Sequence, residues 1–308
     1  MSTRPRSGTA ARNQTAFPAR SSGFVGIAAS SAAAAPPTPP TRFTVGAGQT
    51  RARWRASVDA ALAAIERGEL AKVVLAREVF VDADVPFDRR ALLRRLVAQQ
   101  PGCFVYASDG LVGASPELLV RRRSTTVESR PMAGTAVAGG SDAPLRALAA
   151  SAKEGHEHRL VVDAIADALG ALCHELEVAP APDVAVFGPV AHLVTPIRGR
   201  LVTPVPSALE LARVLHPTPA VGGTPRAAAL EAIAGLEGFE RGRYAGPVGW
   251  VDARGDGEWA IALRGAELDG NRARLVAGAG IVAGSDPDAE WAETEAKLEP
   301  MLRALVRP

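Results

Sequence analysis

Periodic alternation of apolar and polar positions begins near Arg53 and runs to the end of the chain. Over residues 57–69, Val58, Leu62 and Ile65 recur at helical spacing and Gly68 follows, the pattern of an amphipathic helix and its stop. Residues 72–81, Lys-Val-Val-Leu-Ala-Arg-Glu-Val-Phe-Val, are rich in β-branched side chains and predict a strand. A helix is expected over 88–99, a hairpin over 103–107 and 111–114 around Ser-Asp-Gly, and short strands between 118 and 136. Residues 152–177 carry one long helical pattern, with Leu160, Val161, Ile165, Ala168, Leu169 and Leu172 on its apolar side.

The second half repeats the mixture. Strands fall within 184–202, helices over 207–215 and 225–236, a hairpin series over 246–277 and a closing helix over 287–306. The turns Arg254-Gly-Asp-Gly and Asp269-Gly-Asn supply the backbone freedom of tight hairpins, so these strands should be antiparallel. Large, mostly antiparallel sheets flanked by helices define an α+β class rather than a doubly wound parallel sheet.

The start of the chain is different in kind. Its first fifty residues hold five arginines and no acidic residue, and 28–40 is almost entirely Ala, Ser, Pro and Thr. That composition predicts a disordered low-complexity segment over 1–50, followed by one catalytic domain over 51–308. An Arg-rich, acid-poor start also suits a targeting leader, but the continuous apolar core of a secretory signal is missing.

Totals narrow the class. With 308 residues and 47% hydrophobic content the chain can bury a large core, and a net charge of +2 gives no reason to expect nucleic acid or an anionic membrane as partner. Cys103 and Cys173 lie far apart outside any C-x-x-C spacing, which fits a reducing, cytoplasmic setting without disulfide or zinc framework. No run of about 18 apolar residues appears, so a soluble protein is expected.

Candidate chemistry begins with two glutamate pairs at i, i+3, each on one helix face: Glu154 with Glu157, and Glu290 with Glu293. Four converging carboxylates require a cation, and all-oxygen donors select Mg²⁺ or Ca²⁺ over zinc, a partly hydrated ion being Mg²⁺. The plainer alternative is that first-turn glutamates complement the helix dipole and face solvent. His156 and His158 flank Glu157 but sit two apart, on opposite sides of a helix, and so cannot form a zincin pair. His192 stands alone in a strand-like run, where a buried structural role is as plausible as a catalytic one.

The glycines of Gly278-Ala-Gly-Ile-Val-Ala-Gly do not match a dinucleotide fingerprint, but they describe an unobstructed strand-to-helix loop that can bind a carboxylate. Arg264, expected on the strand 259–264, can clamp the same anion or simply be exposed. Lys72 opens a strand. Ser115-Pro116-Glu117 has the form of a helix start, with Ser as cap and Glu in the first turn.

Several ordered strings together are more specific: Lys-Val-Val-Leu-Ala-Arg at 72–77, Ser-Pro-Glu-Leu-Leu at 115–119, Arg-Pro-Met-Ala-Gly-Thr at 130–135 and Ala-Lys-Glu-Gly-His-Glu-His at 152–158. Leu-His-Pro-Thr-Pro-Ala at 215–220, Gly-Pro-Val-Gly-Trp at 246–250 and Ala-Gly-Ala-Gly-Ile-Val at 277–282 follow in order. By these motifs the chain resembles the chorismate-utilising family (anthranilate synthase component I-like) from about Ser57 to Leu305, nearest its isochorismate synthase branch.

The resemblance implies an Mg²⁺-dependent isomerase: water attacks C2 of chorismate while the C4 hydroxyl leaves, giving isochorismate. It assigns Lys72 as the base that activates water, Glu117 as the acid that protonates the leaving hydroxyl, and His192 as an active-site histidine. Glu157 and Glu293 are implied as direct metal ligands, with Glu154 and Glu290 reaching the ion directly or through water. Gly134, Thr135, Tyr244, Arg264, Gly280 and Lys297 match substrate-carboxylate contacts. Ala220 stands where lyase branches tend to have Thr, which argues for stopping at isochorismate rather than eliminating pyruvate as a salicylate synthase does. An inactive chorismate-binding relative is the third alternative, and the retained lysine and glutamates argue against it. Lys72 also argues for water over ammonia, so no glutaminase subunit is implied and a monomer is expected. Relatives carry a structured N-terminal region, so this fold is expected to be N-terminally shortened.

Overall fold

A computed structural model describes residues 38–138 and 141–306. In chain order its elements are β1 (Phe43–Ala47), α1 (Arg51–Glu66), β2 (Lys72–Ala83), α2 (Arg89–Gln99), β3 (Phe104–Ser108), β4 (Leu111–Ser115), β5 (Leu118–Arg123) and β6 (Thr126–Arg130). Next come β7 (Met132–Val137), α3 (Ala143–Ala150), α4 (Ala152–Gly170), β8 (Cys173–Val178), β9 (Asp183–Phe187), β10 (Val190–Val194), β11 (Ile197–Leu201) and α5 (Ala208–Leu215). The last are β12 (Gly223–Thr224), α6 (Arg226–Leu236), β13 (Pro247–Val251), β14 (Gly257–Ile261), β15 (Gly265–Asp269), β16 (Arg272–Ile281) and α7 (Pro287–Val306).

The α+β expectation holds. One sheet has the order β1-β2-β16-β15-β4-β3 with β12 also on β2, a second is β13-β14-β5-β6-β11-β8, and a third is β7-β10-β9. All pairings among the described strands are antiparallel. Among the described residues no helix is long and apolar enough to cross a membrane, and both cysteines are free thiols.

The two long strands β2 and β16 are the spine, in register from Asp82 with Arg272 to Val73 with Ile281. Alternation sends odd-numbered side chains to one face: Val73, Leu75, Val79 and Val81 with Ala273, Leu275, Ala277, Ala279 and Ile281. Helix α7 covers that face with Trp291, Leu298, Met301, Ala304 and Leu305. Helices α1 and α6 complete one end through Trp54, Val58, Ala229 and Ile233, and α2 the other through Leu92 and Leu96. The second sheet has its own core against α4 and α5, built on Val161, Ile165, Leu169, Leu211 and Leu215.

Five expectations need correction. Of the segment 1–50 expected to be disordered, 1–37 lies outside the described residues, but Phe43–Ala47 pairs with β2 as a strand. The helix expected over 152–177 ends at Gly170, because Cys-His-Glu-Leu-Glu-Val changes to a two-residue period and becomes β8 on β11. No helix starts at Ser115: it closes β4, its Oγ accepts the Glu117 N–H at 3.2 Å, and Glu117 lies in the link to β5. Arg264 lies beyond β14 in the link to β15, with a left-handed φ of 54°. Gly278 and Gly280 belong to β16 rather than to a loop.

Candidate active site

The even-numbered face of β2 and β16 carries Lys72, Val74, Val276, Gly278 and Gly280, and all but Lys72 appear directly on the wall of one cleft. Strand β15 leaves β16 after Leu275, so one edge of β16 is open from Val276 onward. Lys297 on α7 donates from there to the Gly278 carbonyl at 2.9 Å. By the alternation of a strand, the Gly280 N–H lies on the same open edge. A Cβ at Gly280 would overlap Glu157 Oε1 and come within 3.1 Å of Lys72 Cε, so only glycine leaves room for both.

Lys72 is wholly buried, its Nζ 2.9 Å from Glu157 Oε1. The pair lacks the alignment of a hydrogen bond, so the ammonium's donors have no hydrogen-bonded partner. A buried cation with idle donors is costly unless it meets a ligand. The strand that bears it is fixed by Arg241 and Glu237: Glu237 accepts the Ala76 N–H at 2.7 Å, while Arg241 donates to the Val74 carbonyl at 2.8 Å and to Val221 at 2.7 Å.

Glu117 enters the cleft from the β4–β5 link. Burial pushes its carboxyl up to about 7, against the pull of Lys72 and Lys297. It can therefore hold a proton near neutrality, the requirement of a general acid.

Strands β7 and β10 form the facing wall. Thr135 is directly opposite His192, and the register shifts immediately after His192, a bulge of the kind that re-aims side chains. His192 Nδ1 lies 3.2 Å from the Gly134 carbonyl and its Nε2 2.8 Å from Arg264 Nη2. Burial, then the Arg264 charge, holds the ring well below its ordinary pKa, so it is neutral. Arg264 is lowered to about 10 by burial and remains a cation. Tyr244 and Ala220 complete this wall, and burial pushes the Tyr244 phenol up to about 12.

The four glutamates do not face solvent at their helix starts. Ser151 caps α4 by accepting the Glu154 N–H, and Glu154 Oε2 accepts the Thr135 N–H at 2.9 Å. Glu157 and Glu290 are buried, and burial together with the Glu293 charge pushes Glu290 up to about 7. Each is held by a lysine: Glu157 by Lys72, Glu293 by Lys297 at 2.5 Å, and Glu154 and Glu290 together by Lys153 at 3.2 and 2.8 Å. Among the described residues no three carboxylate, imidazole or thiol groups stand close enough to form a closed metal cage. The donor set still fits a hard cation: it is all oxygen, and the Lys153 ammonium already sits between two carboxylates as a cation does.

Ten of the fourteen residues singled out from the sequence thus line this cleft: Glu117, Gly134, Thr135, Glu157, His192, Ala220, Tyr244, Arg264, Gly280 and Lys297. Lys72, Glu154, Glu290 and Glu293 stand behind it, tied through the contacts above. Lys153, Glu237 and Arg241 were missed, since adjacent or i, i+4 charges ordinarily mark exposed helix faces. His156 is exposed, while His158 is buried with Nε2 2.7 Å from Thr195 Oγ1 and lowered to about 4 by burial and Lys72, so neither offers a zinc site.

A cleft with a buried lysine, a raised carboxyl and paired glutamates, set on these antiparallel sheets, defines an enzyme class, and the family model "Chorismate binding enzyme" matches residues 22–306; the chain belongs to that family. Among relatives, the MenF protein of Mycobacterium tuberculosis (strain ATCC 25618 / H37Rv) is 48% identical over 77% of this chain and 68% of its own length. Isochorismate synthase DhbC of Bacillus subtilis (strain 168) is 43% identical over 82% and 67%. The crystal structure of DhbC from Bacillus anthracis superposes with a TM-score of 0.81 at 40% identity, covering 87% of this chain and 75% of that one. The chain therefore spans about two thirds of the length of the curated relatives it matches.

Proposed function

We propose that the protein is an isochorismate synthase, an isomerase that converts chorismate to isochorismate. The observation that carries this reading is a carboxyl raised to about 7, Glu117, lining a cleft with Lys72 behind its wall and near enough for its charge to act on that carboxyl. Lys72, once its ammonium has released a proton to solvent, takes a proton from water whose oxygen bonds to C2. The ring double bonds shift, the C4–O bond breaks, and Glu117 gives its proton to the departing hydroxyl, which leaves as water. One water is consumed and one released, so the net change is an isomerisation. Solvent then returns the proton to Glu117 and removes one from Lys72.

Arg264 and Lys297 bring positive charge to the cleft, and the Gly280 N–H adds a donor, a set suited to a dicarboxylate. His192, neutral and accepting from Arg264, orients that guanidinium. Glu157 and Glu293 each give one oxygen to a lysine and would offer a cation the other, while Glu154 and Glu290 are steered by Thr135 and Lys153. Mg²⁺ held by these glutamates would supply the positive charge that anchors the ring carboxylate. Lys72 favours water as nucleophile, so the chain acts without a glutaminase subunit, as a cytoplasmic monomer that binds neither nucleic acid nor membrane.

The test is incubation of the purified protein with chorismate and MgCl₂, with products resolved by liquid chromatography and mass spectrometry and a Lys72→Ala control. Isochorismate without pyruvate, lost in the control and with chelator, supports the reading. Salicylate plus pyruvate moves the protein to the lyase branch, and folded protein without turnover overturns catalysis.

A further inference from the structure

Lys153 has no place in the reaction above, yet its position is unusual. Its ammonium lies between carboxylates of two helices, 3.2 Å from Glu154 Oε1 on α4 and 2.8 Å from Glu290 Oε1 on α7. Each carboxylate is also held by the protein, Glu154 Oε2 by the Thr135 N–H and Glu290 by the Ser285 side chain. Glu290 is buried, but the Lys153 side chain is 31% exposed, so the ammonium is the member of the trio that can swing to water. Lys72 and Lys297 differ: each contacts one glutamate, and both side chains are less exposed than that of Lys153.

We propose that Lys153 is a tethered counter-ion that occupies the bridging place between Glu154 and Glu290 in the cation-free protein and competes with a divalent cation for it. This rests on the metal site of the preceding reading. Four carboxylates drawn from two helix starts repel one another, and an ammonium on the same chain offsets that repulsion at no cost in translational entropy. A divalent cation brings more charge to the same oxygens, and a lysine left among them opposes its entry as a like charge. The partly exposed lysine can then withdraw into solvent, where its charge is well hydrated. The protein thereby tolerates cation loss without its glutamates parting, and cation affinity is lower than the donor set alone would give.

The experiment uses the full chain stripped with chelator and titrated with Mn²⁺ in the absence of chorismate, free Mn²⁺ being read by electron paramagnetic resonance. For Lys153→Gln the dissociation constant should fall about tenfold, the effect of removing one like charge a few ångströms from the ion. Its melting temperature should be below the parent's without cation and match it at saturating Mn²⁺. Lys153→Arg, which keeps the charge, should bind as the parent does. Lys153→Met repeats the test if the glutamine variant does not melt cooperatively. An unchanged or weaker affinity in the neutral variants overturns the inference while leaving the turnover reading intact. A parent protein that binds no Mn²⁺ overturns both the inference and the metal site on which it rests.

Discussion

Arg264 Nη2 stands 2.8 Å from Nε2 of His192. A guanidinium can only donate, so Nε2 must be the unprotonated nitrogen and the proton sits on Nδ1, facing the Gly134 carbonyl. The ¹⁵N spectrum of His192 should show the Nδ1–H tautomer, the ring staying neutral where an ordinary imidazole takes up its proton. His192→Phe removes the acceptor and frees Arg264 to turn, so KM for chorismate should rise about tenfold, the loss of roughly one charge-assisted hydrogen bond. His192→Gln, which keeps an acceptor, should cost less.

Lys72→Met keeps the buried stem and removes the amine. Turnover should fall by about 10²–10⁴, the range for a lost general base, with a cooperative melt retained. A variant within tenfold of the parent in kcat would remove Lys72 from the reaction.

Glu117 sets a pH limb. Protonated Glu117 is the competent form, so kcat/KM should decline as pH rises through about 7. The same raised pKa costs stability in the opposite sense to a salt-bridged carboxylate. The folded protein holds this proton more tightly than the unfolded chain, so Glu117's contribution is fully present below about pH 4.5 and is lost as pH rises to about 7. Glu117→Gln should abolish turnover and flatten that fall, gaining at most about 3 kcal/mol at pH 8 in denaturant melts.

Gly280→Ala places a methyl against Glu157 and Lys72 together. Because both belong to rigid elements, overpacking of about 1–3 kcal/mol is expected, with cation affinity and turnover falling together. Gly155→Ala, on the same helix as Glu157 but with only the tip of Arg159 near, serves as the tolerated control in calorimetric titrations.

Much of the site was readable because its parts announce themselves locally. Lys72 stands at the first residue of a strand marked by β-branched composition, and α7 begins and ends where its periodicity does. The glutamate pairs were visible as i, i+3 repeats. Pairing was not. That Gly278 and Gly280 lie on an open strand edge depends on β15 beginning only at Gly265, a fact about a partner strand rather than about the glycines. The end of α4 at Gly170 was hidden because Leu172 and Leu176 continue a helical count by accident while packing from a turn and a strand. Lys153 was passed over because its partner Glu290 is 137 residues away, and one-dimensional periodicity carries no information at that separation.

The cleft draws its walls from β2, the β4–β5 link, β7, α4, β10, the turn after α5, the α6–β13 link, the link after β14, β16 and α7. No fragment of the chain shorter than that from Lys72 to Lys297 contains both the lysine and the last of the carboxylate contacts. Catalytic competence therefore requires that whole span to be in place, and a stopped-flow refolding experiment that follows turnover should show activity returning no sooner than the β2–β16 ladder closes.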